Sequence, residues 1–173
     1  MIYFTSDSHF FHKNIITYCN RPYSNIEDMN KDIIKKWNSK VLPGDTVYHL
    51  GDFCFNPYYV PDIISKLNAK QIILICGNHD SRIWKKRDIF NDTKLQIAGY
   101  NTIHEINYQG LPIILCHFPM LSWPKKSHGS VHFFGHIHNV SRDDIQPNSC
   151  NVGVDCWDFY PVDIETAIKT ATK

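Results

Sequence analysis

The sequence has almost no net charge, no long apolar run and no paired cysteine motif, and each absence removes a class of function. Eighteen Lys and Arg against seventeen Asp and Glu leave a formal charge of +1, so no global field draws the chain onto nucleic acid or a membrane surface. No run approaches the roughly 18 apolar residues of a membrane span. The six cysteines (Cys19, Cys54, Cys76, Cys116, Cys150, Cys156) contain no C-x-x-C pair, and several lie in apolar runs where a thiol acts as a small hydrophobe. The opening MIYFTSDSH has neither a charged n-region nor a long h-region, so a signal peptide is not expected and a reduced, cytoplasmic compartment is. Repeats, low-complexity segments and linkers are also missing. Residues 1–173 are therefore expected to form one domain, large enough to bury a core without disulfides.

What is abundant is histidine, ten in 173 residues, and placement matters more than number. Residues 1–6 and 46–50 read as short apolar strands, and 71–76, QIILIC, as a β-branched one. Between them Ser24-Asn25-Ile26-Glu27 has the S-x-x-E form of a capping box, followed by apolar residues at helical spacing through about Asn38. A second helix is expected over 58–67, beginning near Pro61. Residues 81–95 read as loop with one helical turn, and 100–108 as one strand with a wet face. Further strands are expected at 112–116, 131–134 and 149–154, and a last helix capped by Asp163. Early βαβα order followed by strand-rich sequence predicts an α/β fold with two sheets.

Five of these strand candidates run directly into metal-binding residue types. MIYFTS leads to Asp7-Ser8-His9, TVYHL to Gly51-Asp52, and QIILIC to Gly77-Asn78-His79-Asp80. PIILC leads to His117, and VHFF to Gly135-His136-Ile137-His138. In α/β sheets, sites assemble at the carboxyl ends of strands. Residues two apart in an extended chain face the same way, so Asp7 with His9, and His136 with His138, can each offer two ligands to one side. Any one of these histidines alone reads as an ordinary core or surface residue; the joint pattern reads as a metal site.

The donor set selects two ions. A dinuclear hydrolase site holds divalent ions about 3.5–4 Å apart and needs an anionic bridge between them. Asp52, isolated in sequence between two ligand groups, is the natural bridging carboxylate. Imidazole, carboxylate and amide donors without thiolate point to Mn, Fe, Ni or Zn, with Mn the leading expectation.

In this order the blocks D-x-H, G-D, G-N-H-D, H and G-H-x-H resemble those of the calcineurin-like metallophosphoesterase superfamily, and they span residues 7 to 138. The opening FTSDSHFFHKNIITYCNRPY further resembles a compact bacterial and phage group of such enzymes. The resemblance implies a four-layer αββα sandwich. It implies that Asp7, His9, Asp52 and His138 hold one metal and Asp52, Asn78, His117 and His136 the other. It also implies a metal-bridging hydroxide as nucleophile, with His79 assisting the leaving oxygen rather than binding metal. A phosphodiester is the favoured substrate, with a phosphomonoester or a non-catalytic scaffold on the same fold as alternatives.

Many relatives extend the second block to G-D-x-x-D-R-G, where the acid orients the catalytic histidine and the arginine grips phosphate. Here Gly51-Asp52 continues as Phe53-Cys54-Phe55-Asn56 and both are missing. Asp80 is a candidate replacement orienter, or else a turn cap; Arg21, Arg82, His12 and Asn14 are candidate phosphate contacts. Phe10, Phe11, Phe53 and Phe55 beside the motifs read as core, or as a surface on which a base stacks. The expected partner is a small phosphate ester such as a nucleotide. No membrane, polymeric nucleic acid or obligate protein partner is expected. Cys116 reads as core, and His128 and His132 as ordinary histidines.

Overall fold

The computed structural model describes residues 1–139 and 145–173. Strands β1 (Ile2–Thr5), β2 (Thr46–His49), β3 (Gln71–Cys76) and β4 (Leu95–Tyr100) run parallel, and β9 (Val162–Asp163) joins antiparallel, in the order β4-β3-β2-β1-β9. A second sheet has the order β5-β6-β7-β8, from β5 (His104–Tyr108), β6 (Leu111–Leu115), β7 (Val131–Phe134) and β8 (Ser149–Asn151). There β5 pairs antiparallel with β6, and the other pairs are parallel. Both sheets are thus mixed, and helices flank them, as the expected αββα sandwich requires.

Two-residue periodicity divides the core. After the single helical turn α1 (Ile15–Tyr18), Val47, Ile72 and Leu74 point to one face and pack with Met29, Ile33 and Trp37 of α2 (Ile26–Lys40) and Ile63 of α3 (Val60–Lys66). Phe4, Leu50 and Ile75 point to the other and meet Ile113, Leu115 and Phe133 of the second sheet. Each fully buried aliphatic or aromatic side chain contributes about 1.5–3 kcal/mol. The final helix α5 (Ile164–Ala171) packs against β7 and β8 and reaches β1 and β9. Asp163 caps it, accepting the Thr166 N–H at 2.9 Å. No described helix is long and apolar enough to cross a membrane.

Two local expectations need correction. The capping box does not form: Asn25, extended at φ −152°, caps α2 by accepting the Asp28 N–H at 2.8 Å, because an Asn one residue nearer the apolar stripe is as good a cap as Ser. Residues 100–108 are not one strand. The chain leaves β4 at Tyr100, turns through left-handed Asn101 (φ 50°), and enters the other sheet as β5. In residues 81–95 the expected helical turn is α4 (Ser81–Lys85), and a 3-10 turn over Arg87–Phe90 follows it.

Candidate metal centre

The parallel order β3-β2-β1 brings three motif loops to one edge of the first sheet, and β6 and β7 bring two from the second. Close backbone approach makes this possible. A Cβ on Gly77 would lie 2.5 Å from Asp52 Oδ1 and 2.7 Å from a His117 ring carbon, so only hydrogen fits there. Asp7, His9, Asp52, His136 and His138 all sit at positive φ, between 42° and 70°. Left-handed Asp and His cost about 1–3 kcal/mol each and persist where the surroundings over-determine them. Here they turn five candidate ligands toward one another.

The candidate ligands fall into two groups. One ligand atom each from Asp7, His9 and His138 lie within 4.8 Å of one another, and so do those of Asp52, His117 and His136. Asp52 Oδ2 stands between the groups, 3.5 Å from His9 Nε2 and 3.6 Å from His117 Nε2. Asn78 Oδ1 lies 2.9 Å from His117 Nε2. Cys19, His138 and Asp155 also cluster, but the Asp155 oxygens are taken by His138 itself and by Arg21.

Unsatisfied atoms show that these donors fit cations. Asp7 Oδ2 accepts the His136 N–H at 2.9 Å, while Oδ1 is buried without a partner. His9 Nδ1 faces His12 Nδ1 at 3.2 Å, while its Nε2 is buried and unpartnered. Buried polar atoms are otherwise almost always paired. His117 Nδ1 lies 2.7 Å from the Leu50 carbonyl and must donate to it, which leaves an Nε2 lone pair against Asn78 Oδ1. Two lone pairs at hydrogen-bond distance repel unless a proton or a metal cation lies between them.

Electrostatics agree with that reading. Burial, reinforced by the charge of Arg21, holds His9 well below the usual histidine range. Burial, with His117 adding, lowers His136. Both are thus kept neutral, as ligands must be. Burial raises Asp7, against the pull of His117 and His138. Burial resists charging His138, yet hydrogen bonds to Asp155 and Cys19 push it up to about 10. Without an ion His138 therefore carries a proton, which an arriving metal must displace.

The other anticipated residues separate. His79 is exposed; its ring lies 5.4 Å from that of His9, and its N–H donates to Asp52 Oδ1 at 2.9 Å. His12 is half-buried, its ring 5.8 Å from that of His79. Arg21 is not free to grip phosphate. It is 4% exposed, and its donors go to Asp155, the carbonyls of Asp7 and Ser8, and Met29 Sδ. Asp80 does not face the His79 ring: its carboxylate accepts the backbone N–H groups of Asp52, Phe53 and Gly77 at 2.7, 3.0 and 2.9 Å. Adjacency in sequence turned it into the backbone, and it clasps the Gly51-Asp52 and Gly77-Asn78 loops together. Asn14 and Arg82 are exposed and make no hydrogen bond or ion pair with a ligand residue.

Asp155 was missed. It follows β8 by four residues, in Gly153-Val154-Asp155, and an acid shortly after a strand end is the signal that could have found it, although its glycine stands two residues before it rather than next to it as at Asp52. Phe10 and Phe53 are core, each 0% exposed. Cys116 is buried, His128 is exposed, and His132 lies between the carbonyls of Ile114 and Phe118.

Comparison with known proteins bears on the same residues. The calcineurin-like phosphoesterase superfamily domain matches residues 1–167. The uncharacterized protein MJ1445 of Methanocaldococcus jannaschii is 36% identical over 180 residues, covering 99% of this chain and 92% of that one. The chain belongs to the calcineurin-like phosphoesterase superfamily. The gene 66 protein of Mycobacterium phage L5 is 25% identical over 185 residues, covering 90% of this chain and 86% of that protein. The crystal structure of AQ665 from Aquifex aeolicus, a protein of unknown function, superposes with a TM-score of 0.76 at 24% identity over 98% of each chain, which shows the shared fold. Membership of this superfamily and the two His/Asp groups support a metal-dependent phosphoesterase.

Proposed function

We propose that residues 1–173 form one catalytic unit that hydrolyses a small phosphodiester with two divalent ions, Asp52 bridging them. The observation that carries this is Asp52 Oδ2, set 3.5 and 3.6 Å from imidazole nitrogens of two separate ligand groups. Asp7, His9 and His138 would hold one ion and Asn78, His117 and His136 the other, with Asp52 shared. Bound ions of this kind lower the pKa of a shared water and polarise phosphoryl oxygens. The chain's own part is positional. The Leu50 carbonyl fixes the His117 tautomer, Asp80 holds the Asp52 and Asn78 loops in register, and Asp155 orients His138. His79, anchored through its N–H on Asp52 Oδ1, presents an exposed imidazole that protonates the departing alkoxide.

A diester is favoured because the guanidinium of Arg21 is committed within the protein. Few cationic groups remain to balance the second charge of a monoester. The test is hydrolysis by protein stripped of metal and reconstituted with Mn²⁺, comparing bis-p-nitrophenyl phosphate with p-nitrophenyl phosphate. Faster diester cleavage is expected, and with an alkyl diester, whose departing alkoxide needs the proton, turnover is expected to fall about 10²-fold or more in His79→Ala with metal content unchanged. Monoester preference refutes the substrate assignment. Absence of turnover with both ions bound refutes the enzyme reading in favour of a scaffold.

A further inference from the structure

We propose that the His12–Phe55 stack is a subsite for a planar aromatic group on the leaving alcohol, as a nucleoside would carry. The inference rests on the phosphoesterase reading above and adds the substrate class. The rings of His12 and Phe55 are 4.4 Å apart and 13° from parallel, and Tyr18 stands edge-on to His12 at 6.3 Å. This shelf is continuous with the metal centre, since the His12 ring lies 5.1 Å from that of His9 and 5.8 Å from that of His79. A leaving group protonated by His79 departs on this side. Its body therefore passes over the shelf.

The shelf is presented rigidly and in the open. Phe55 is 43% exposed although it follows buried Phe53 and Cys54. Its N–H donates to the Phe10 carbonyl at 2.9 Å, and a bridge pairs Phe10 with Cys54. The phenyl ring is stacked face to face on the His12 imidazole, which holds it in place at little entropic cost and leaves its outer π-face to a ligand, and base–aromatic stacking tolerates any base.

The test is titration calorimetry of the Mn²⁺-loaded His79→Ala protein, which slows turnover, with adenosine 5′-monophosphate and with ribose 5-phosphate. The two probes share the phosphate and sugar and differ only in the base. Binding of the adenosine ester is expected to be on the order of tenfold tighter. Phe55→Leu keeps apolar volume and loses the π-face, so it collapses that ratio toward one, while Phe55→Tyr preserves it. A ratio near one in the parent, or one that survives Phe55→Leu, overturns the subsite and leaves the phosphoesterase reading standing. Binding of neither phosphate overturns the subsite, while the phosphoesterase reading stands or falls separately by hydrolysis of bis-p-nitrophenyl phosphate.

Discussion

Arg21 and Asp155, 134 positions apart, form a buried bidentate pair with both N···O distances at 2.8 Å. The same carboxylate takes His138 Nδ1 at 2.8 Å, and the same guanidinium donates to the carbonyls of Asp7 and Ser8. One ion pair thus sets both halves of the first ligand group. Asp155→Asn leaves His138 without an ionised acceptor on Nδ1 and is expected to weaken that ion's binding about 10–100-fold, read by metal titration. Arg21→Met strands a buried carboxylate and is expected to cost about 3–5 kcal/mol, read by urea unfolding. Metal affinity unchanged in Asp155→Asn would refute the coupling.

Five motif loops were legible because strand ends in α/β sheets gather chemistry and because the ligand types recur at fixed spacing. What local sequence did not reveal was partnership across distance. Nothing near Arg21 shows that Asp155 lies against it, so an arginine beside a phosphate site read as a phosphate contact. Asp80 was legible as important but not in direction, since its aim follows from the 3-10 turn over Asn78–Asp80. The strand over 100–108 failed because periodicity passes through Asn101, while its left-handed backbone ends one sheet and begins the approach to another. The capping error was a shift of one residue between two good caps.

Asp80 separates two roles by which property falls. Burial and the charge of Asp52 push it up to about 7, against three backbone N–H donors. Asp80→Asn turns an amide N–H toward one of those donors, and a buried donor left unpaired costs about 1–3 kcal/mol. Stability and metal affinity at Asp52 are therefore expected to fall together. A loss of turnover with both unchanged would instead make Asp80 an orienter of His79.

Gly135 leads into His136 and His138, and a Cβ there would lie 2.1 Å from Ser6 Oγ and 2.4 Å from Asp7 Oδ2. Gly135→Ala must push the Asp7 carboxylate off the His136 N–H. Overpacking of this kind costs about 1–3 kcal/mol. The expected readout by elemental analysis is a fall from two bound metal ions to one, because the Asp52–His117–His136 group does not use Asp7. Full occupancy of both ions would show that the loop relaxes without cost to the ligand.

His49 sets the acid limit of the fold. It is fully buried, its Nε2 lies 2.9 Å from Ser8 Oγ, and its Nδ1 has no partner. Burial, reinforced by His117, lowers it to about 3, whereas an unfolded chain titrates near about 6.5. Between those values the unfolded state binds the extra proton, so stability is complete above about pH 6.5 and declines as pH falls toward 3. At pH 5 this group alone removes about 2 kcal/mol. Replacing it with a group that does not titrate flattens the profile: in His49→Gln, which keeps a donor for Ser8 Oγ, the unfolding free energy is expected to start lower at pH 7 but fall less on acidification to pH 5. Urea unfolding at the two pH values measures this, and an equal acid loss in both proteins would assign it to other groups.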